Sequence, residues 1–216
     1  MTPSPKKVLI ILYYWPPAGG PGVQRWLKFV KYLKDFNISP TVFVPKNPHY
    51  PVKDESLELE IPNHVKVIKS KILEPYGLAK RFSKQDTNAL SKGIIKSKSK
   101  QNWLQKTMLY IRGNFFIPDA RMLWIQPSVK KIDKLLKTEN FDVIITSGPP
   151  HSLHRIGFYL KQKHQDLPWI VDFRDPWVNI GYHKDLKLTP SSAEKHQQME
   201  KEVLNSADHI IVTSPS

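Results

Sequence analysis

The chain has 216 residues, of which 40% are hydrophobic and 11% aromatic, enough to build the core of one large domain or two small ones. Its 33 Lys and Arg against 19 Asp and Glu give a net charge of +14. A charge of this sign attracts phosphate-bearing partners. In the alternative interpretation, the lysines form a solvated surface that keeps the protein soluble. The absence of cysteine excludes disulfides, thiolate catalysis and Cys-ligated zinc, and it is compatible with a reducing cytoplasm.

The first predicted element is a strand at residues 7–14, whose almost continuous apolar run is typical of a strand buried on both faces of a parallel sheet. This run is too short to span a membrane and lacks a small-residue cleavage site, so we interpret it as a strand rather than as a signal peptide. A Pro- and Gly-rich segment follows, and residues 23–34 then place apolar side chains at helical spacing.

The remaining apolar runs alternate between strand and helix patterns. Strands are predicted at 40–44, 64–68, 141–146, 169–173 and 208–213, and helices at 103–111, 127–136, 151–164 and 191–204. This alternation predicts a Rossmann-like α/β fold: a doubly wound, mostly parallel sheet with helices on both faces, in one domain over residues 1–216. Residues 71–102 are interpreted as a basic insertion, because residues 66–106 contain eleven basic and two acidic side chains.

A glycine loop follows the first strand in the segment YYWPPAGGPGVQR. Gly19, Gly20 and Gly22 allow backbone N–H groups to approach a ligand closely, and the helix start after them favours anions. The loop is neither a Walker loop nor a complete dinucleotide fingerprint, since Arg25 stands where the third glycine would be and no carboxylate follows the second strand. The three glycines and Arg25 are therefore predicted to bind donor phosphate or acceptor, with a tight turn as the structural alternative.

The segment SGPPHS follows the predicted strand at 141–146 and opens a helix. Ser147 and Gly148 are candidates for ligand binding, and His151 at the helix start is a candidate catalytic residue that could donate to an oxyanion or a sugar hydroxyl. His154 lies one turn further on, but two histidines do not make a metal site, and we predict none.

The segment DFRDPW follows the strand at 169–173. Asp172 is predicted to be catalytic, and Arg174 and Asp175 to bind donor or acceptor, because a carboxylate–guanidinium pair can hold a hydroxylated substrate or orient a base. In the alternative interpretation these residues form an ion pair that supports the turn, or Asp172 faces inward and caps a neighbouring loop.

Taken in order, YYWPPAGGPGVQR, FIPDARMLW, DVIITSGPPHS, WIVDFRDPW and ADHIIVTS resemble the N-terminal domain of GT-B glycosyltransferases of family 4 (group 1), which act in bacterial polysaccharide synthesis. The resemblance implies a sugar transfer from a nucleotide-diphosphate donor to a saccharide or lipid-linked acceptor, retaining and without metal. It places the three glycines at the donor diphosphate and acceptor, His151 near the transferred sugar, and Asp172, Arg174 and Asp175 around the acceptor. Many relatives have a His-Asp pair where this chain has Arg174-Asp175.

The resemblance also implies a C-terminal domain that carries a basic pair and a Glu-x7-Glu motif for the nucleotide sugar, and we find no such second domain in this sequence. That domain of the same protein is therefore an expected partner. We expect the chain to be inactive alone, to bind no cofactor itself, and to reside in the cytoplasm.

A binding module without catalysis is the alternative function, with nucleic acid or an anionic membrane as the partner. Nucleic acid is the less favoured of the two, because the basic stretch lacks interleaved aromatic residues. Trp103, Leu104, Met108 and Ile111 form a stripe that could dock with the basic region on the inner membrane, or could belong to the core.

Overall fold

The computed structural model describes residues 3–74 and 103–214, and its centre is a sheet of six parallel strands. The predicted insertion at 71–102 lies almost entirely outside the described residues. The strands are β1 (Lys6–Ile11), β2 (Ile38–Lys46), β3 (Lys66–Lys71), β4 (Val143–Gly148), β5 (Trp169–Phe173) and β6 (His209–Val212). Their spatial order is β3-β2-β1-β4-β5-β6. The predicted Rossmann-like α/β fold is confirmed.

The strand order reverses direction between β1 and β4, which pair with each other at the centre of the sheet. The chain runs outward to β2 and β3 on one side and to β5 and β6 on the other. Because right-handed crossovers in opposite directions place their helices on opposite faces, this order gives a doubly wound sheet. The carboxyl ends of β1 and β4 flank the crevice where such sheets bind ligands.

Five helices cover the described sheet: α1 (Pro21–Tyr32), α2 (Trp103–Phe115), α3 (Met122–Leu136), α4 (Ser152–Lys163) and α5 (Pro190–Ser206). In α1, Val23, Trp26, Leu27 and Val30 are buried, as the helical spacing of apolar residues predicts. Thr189 caps α5, and its side chain accepts a hydrogen bond from the Ser192 N–H. No helix among the described residues is long and apolar enough to cross a bilayer.

Two helices differ from their predicted extents or faces. Helix α3 begins at Met122, five residues before Pro127, so the proline lies inside the helix instead of at its first position. In α2, Trp103 is 76% exposed and Ile111 is 43% exposed, whereas Leu109 is buried. Trp103 and Ile111 of the predicted stripe on α2 therefore do not belong to the core.

Large side chains fill both sides of the sheet. Leu9, Ile10 and Ile11 of β1 are fully buried, which explains the unbroken apolar run in the sequence. The largest side chains with almost no exposed surface are Trp15, Trp124, Trp169 and Trp177. Two of them, Trp15 and Trp177, lie in the loops that follow β1 and β5, so large buried aromatic side chains pack at the carboxyl edge.

Candidate functional site

The three loops that carry the predicted site residues meet at the carboxyl edge of the sheet. They follow β1, β4 and β5, and these three strands are neighbours. The first two flank the reversal of strand order, the position where doubly wound sheets bind their ligands. The loops therefore lie together, while the binding and catalytic roles of their residues stay predictions.

The glycine loop is held by a segment that follows β2. The Gly19 N–H donates to the Val52 carbonyl at 3.0 Å, and the Asp54 N–H donates to the Pro17 carbonyl at 2.9 Å. Gly20 has a φ of 107°, which favours glycine and lets the chain turn into α1. The Gly19 N–H is thus already used by the protein, so phosphate binding by this loop would depend on Gly20, Gly22 and the start of α1.

Gly22 leaves room for the guanidinium group of Arg174. A Cβ atom at Gly22 would lie 1.8 Å from Arg174 Nη1, so the guanidinium lies against the first turn of α1. Arg174 also donates from Nε to the Gly148 carbonyl at 3.2 Å and from Nη2 to the Pro149 carbonyl at 2.6 Å. Arg174 therefore joins the glycine loop to the loop after β4.

The surroundings of Arg174 favour an anionic ligand. Burial lowers its pKa, and the nearby Arg25 acts in the same direction, while Asp172 and Asp175 oppose the shift. The start of α1 adds a positive field, and its first turn contains no acidic residue. No described residue accepts a hydrogen bond from Arg174 Nη1. A phosphate or carboxylate at this position would relieve the repulsion between these positive groups.

Asp172 faces inward and is fully buried, in agreement with the alternative that the sequence left open. Its Oδ2 accepts hydrogen bonds from Arg25 Nη1 at 2.6 Å, from Trp26 Nε1 at 3.2 Å and from Ser147 Oγ at 2.6 Å. Asp172 thus ties α1 to β4, and both Arg25 and Ser147 are engaged with it. Its Oδ1 is buried and has no partner among the described residues. These contacts make Asp172 a positioning residue, and its catalytic role stays a prediction.

His151 is buried, and neither ring nitrogen has a hydrogen-bond partner among the described residues. Its ring stacks on Trp177, with 4.8 Å between centroids and 4° between planes, and lies 6.1 Å from the Phe173 ring. Burial and the neighbouring histidines lower its pKa well below the usual range, so the imidazole is neutral and can donate one hydrogen bond and accept another. Because both nitrogens are buried, a ligand reaches them only when neighbouring groups move.

His154 lies about one helical turn after His151 and contacts Thr146. Its Nδ1 lies 3.1 Å from Thr146 Oγ1, which accepts a hydrogen bond from Trp169 Nε1 at 3.0 Å. Because Trp169 can only donate, the Thr146 hydroxyl is free to donate to His154 Nδ1, which places the remaining proton on Nε2. Burial lowers the pKa of His154 to about 3, so this histidine is also neutral.

The start of α4 is occupied by a carboxylate of the chain itself. Asp119 accepts hydrogen bonds from the Ser152 N–H at 2.8 Å and the Ser152 hydroxyl at 3.0 Å. It also accepts from the Arg121 N–H at 2.8 Å. This role of Asp119 was not predicted from the sequence, although the residue lies in the segment FIPDARMLW. The anion-binding capacity of this helix start is therefore partly used within the protein.

A second missed group lies on the other side, beyond the carboxyl ends of β1, β2 and β3. Glu74 accepts hydrogen bonds from the Tyr13 hydroxyl and from the His49 N–H, and its Oε1 lies 3.7 Å from Arg121 Nε. The Arg121 guanidinium lies over the Tyr13 ring, 4.6 Å from its centroid. Only 8% of the Arg121 side chain and 9% of the Glu74 side chain are exposed. The only sequence indication was the presence of charged residues next to predicted turns.

Asp175 is exposed, unlike Asp172, and it lines a pocket of about 490 Å³ together with Arg174 at the ends of β5 and β6. Leu204 of α5 and Val212 of β6 form apolar parts of the same wall. Within the described residues, no group of three or more His, Asp or Glu side chains could hold a metal ion.

The chain matches no protein-family model and no curated protein. Its fold is similar to a UDP-glucosyltransferase from Polygonum tinctorium capable of glucosylating indoxyl, with a TM-score of 0.50 and 11% identity over 99% of this chain and 46% of that one. Phytolacca americana UGT2 complexed with UDP-2fluoro-glucose and pterostilbene gives a TM-score of 0.44 and 12% identity over 97% of this chain and 48% of that one.

At such low identity the likeness concerns the fold alone, which this chain shares with part of the Polygonum tinctorium structure. The chain spans less than half the length of these solved structures.

Proposed function

We propose that this chain is the N-terminal, acceptor-side domain of a family 4 glycosyltransferase. In this proposal the complete protein transfers a sugar from a nucleotide-diphosphate donor to a saccharide or lipid-linked acceptor in cell-surface polysaccharide synthesis. The observation that carries it is the neutral His151, with two unpartnered ring nitrogens, close to the loop that Arg174 joins to the start of α1. Buried polar atoms are nearly always paired in proteins, so unpaired ones at a sheet reversal favour a ligand site.

Each group has a role in the proposed reaction. The start of α1 and the Arg174 guanidinium would stabilise the negative charge that develops on the leaving diphosphate, which requires no metal. The neutral His151 would hydrogen-bond to a hydroxyl of the transferred sugar or the acceptor. Asp172 would hold Arg25 and Ser147 in place without contacting the substrate. Retention of anomeric configuration is part of the proposal because the family resemblance implies it, and no side chain is assigned as a nucleophile.

Release of nucleotide diphosphate from a panel of nucleotide sugars tests this function. We expect the complete two-domain protein to release nucleotide in the presence of acceptor and the 216-residue chain alone to release almost none. His151→Ala should lower kcat by about 100-fold, a typical loss for a group that hydrogen-bonds in the transition state. His164→Ala is the matched control, since His164 lies at the other end of α4 and pairs with Asp133.

Two results would contradict the proposal. One is turnover by the 216-residue chain alone at the rate of the complete protein, because half of the proposed site would then be unnecessary. The other is unchanged kcat in the correctly folded His151→Ala protein.

The exposed side of α2 supports a second, smaller proposal, contact with an anionic membrane surface. Trp103, Tyr110, Ile111 and Phe115 are between 41% and 76% exposed, and Leu123 of α3 is 43% exposed. Aromatic and aliphatic side chains next to lysines are typical of helices that bind at a lipid interface. A lipid-linked acceptor would be presented at such a surface.

Co-sedimentation with vesicles tests this contact. We expect binding to vesicles that contain an anionic lipid, weaker binding to neutral vesicles, and a loss of binding in the Trp103→Ala/Phe115→Ala double variant. Phe36→Ala is the control, because Phe36 is 74% exposed and lies outside α2. Equal binding to neutral and anionic vesicles would rule out the electrostatic part.

A further inference from the structure

A separate pocket of about 300 Å³ lies at the carboxyl ends of β2 and β3. Its volume is at the lower end of the range of small-molecule sites, roughly 300–1,000 Å³. It lies on the β2–β3 side of the sheet reversal, away from the loops that hold His151 and Arg174. Its walls come from the glycine loop, the end of β2 with the following turn, and β3, through Trp15, Pro16, Pro17, Tyr50 and others.

The walls of this pocket are held rigidly. Four prolines line it, and Tyr50 donates from its hydroxyl to the Tyr13 carbonyl at 2.9 Å. The same backbone hydrogen bonds that fix Pro17 and Gly19 also fix the segment carrying Lys53. Because the shape does not depend on a ligand, little conformational entropy is lost when one binds.

The polar groups of the pocket are mostly hydrogen-bond donors. Trp15 forms part of the wall, but its indole N–H is buried and is reached by a ligand only when neighbouring groups move. Lys53 and Lys69 also line the pocket, and neither forms an ion pair with any described residue. No carboxylate lines it, and the Asn47 amide adds one more donor. This donor-rich, positively charged lining complements a ligand with oxygen acceptors and a negative charge.

We propose that this pocket binds the acidic group of a saccharide, a carboxylate or a phosphate, with Lys53 and Lys69 pairing with the charge. Tyr50 and the prolines contact the apolar face of the sugar ring. That this saccharide is the acceptor rests on the proposed function, whereas the preference of the pocket for an acidic sugar does not.

Calorimetric titration of the 216-residue chain tests the pocket without any donor. The probes are glucuronate, glucose 1-phosphate, neutral glucose and inorganic phosphate. We expect one or both acidic sugars to bind at least about tenfold more tightly than glucose, since hydrogen bonds from a charged lysine are stronger than neutral ones. The preferred acid, glucuronate or glucose 1-phosphate, identifies whether a carboxylate or a phosphate is the natural group.

Substitutions in the pocket lining test whether the sugar binds in this pocket. Lys53→Gln/Lys69→Gln should lower the affinity for the acidic sugar about fivefold or more and leave the affinity for glucose unchanged. Both lysines are exposed surface groups, so their replacement should not disturb the fold. Lys195→Gln/Lys201→Gln on α5 is the control with the same loss of two charges outside the pocket. Circular dichroism and the melting temperature report whether each variant folds.

Three outcomes would overturn the proposal: no binding of either acidic sugar, equal affinity for glucose, or an unchanged affinity in the double lysine variant. Inorganic phosphate that binds as tightly as glucose 1-phosphate would overturn the saccharide part. Failure of the proposed function is seen separately. In that case the acidic sugar binds as expected, but the complete protein transfers no sugar from any donor.

Discussion

The two halves of the carboxyl edge bury polar groups in different ways. Beyond β4 and β5, His151, His154 and Asp172 each keep at least one buried atom without a partner among the described residues. Beyond β1 to β3, the Glu74 carboxylate uses both oxygens and faces Arg121, while Arg121 Nε and Trp15 Nε1 lack a hydrogen-bond partner among the described residues.

The two buried carboxylates therefore differ, because both Glu74 oxygens are used within the chain whereas Asp172 Oδ1 has no partner among the described residues. A buried donor or acceptor without a partner destabilises the fold by about 1–3 kcal/mol, and such atoms are rare in structural cores. The ion pair of Glu74 and Arg121 stabilises the loops after β1 to β3, and in the proposed function the unpartnered ring nitrogens of His151 contact a ligand.

The largest loss of stability is expected from Glu74→Gln. Arg121 has a side chain that is only 8% exposed, so removing the carboxylate leaves a buried guanidinium with a weaker set of partners. Breaking a buried ion pair in this way costs about 3–5 kcal/mol, and we expect a value near the lower end because Asp119 also acts on Arg121. Unfolding in guanidinium chloride measures it, and a loss below about 1 kcal/mol would contradict the buried pair.

Asp172→Asn should cost somewhat less, about 2–3 kcal/mol. Arg25 loses its charged partner, but its side chain is 26% exposed and can be partly hydrated. The matched control is Arg25→Gln, and the double variant completes a cycle that isolates the coupling between the two side chains. A coupling energy near zero would show that Asp172 acts mainly through Trp26 and Ser147.

Acidification should lower the free energy of unfolding, because the buried histidines of the β4–β5 half are neutral in the folded chain. Burial lowers the pKa of His154 to about 3 and that of His196 to about 4, against an ordinary value of about 6.5 in the unfolded chain. Below pH 6.5 the unfolded state therefore binds protons that the folded state does not, and stability falls as pH falls. The expected loss is about 2 kcal/mol for each histidine between pH 6.5 and pH 5.

The pH dependence is checked by measuring the unfolding free energy at several pH values. His196→Asn is the informative variant, because an amide oxygen can still accept the hydrogen bond that Trp177 Nε1 donates to His196 Nδ1. We expect a shallower fall of stability with pH in this variant. The same slope as in the original chain would mean that His196 is not kept neutral by the fold.

Local sequence patterns predicted the fold well, because each strand and helix buries its own apolar face. The strand at 169–173 was predicted at the residues where β5 lies, and the alternation of elements predicted the parallel sheet. The limits of α3 were wrong because a proline is favoured at a helix start, yet tertiary packing holds Pro127 inside the helix.

The site was harder to predict because its contacts join distant parts of the chain. The sequence placed Asp172 at the end of a strand but could not decide which face it takes, and only the packing of α1 shows that it meets Arg25. Likewise, the Gly19 N–H is used by Val52, and Asp119 caps a helix that begins far along the chain. Residue types and spacing identify where such loops lie, whereas the partners depend on the three-dimensional fold.

The remaining effects on the free energy of unfolding are expected from replacing two glycines by alanine. These glycines contact the β4–β5 half from opposite sides. A Cβ at Gly157 would lie 2.3 Å from the buried Trp169 ring, which cannot move without disturbing β5, so Gly157→Ala should cost about 2 kcal/mol by overpacking.

At Gly22 the added methyl would meet only the flexible end of Arg174, and the gain in helix propensity of up to about 1 kcal/mol offsets most of the strain. Gly22→Ala should therefore change the free energy of unfolding by less than about 1 kcal/mol. It should still lower turnover of the complete enzyme, because the displaced guanidinium loses its hydrogen bonds to the Gly148 and Pro149 carbonyls. Paired denaturation and turnover measurements on both variants separate the two cases. Normal turnover in Gly22→Ala would mean that the position of Arg174 against α1 does not matter for the reaction.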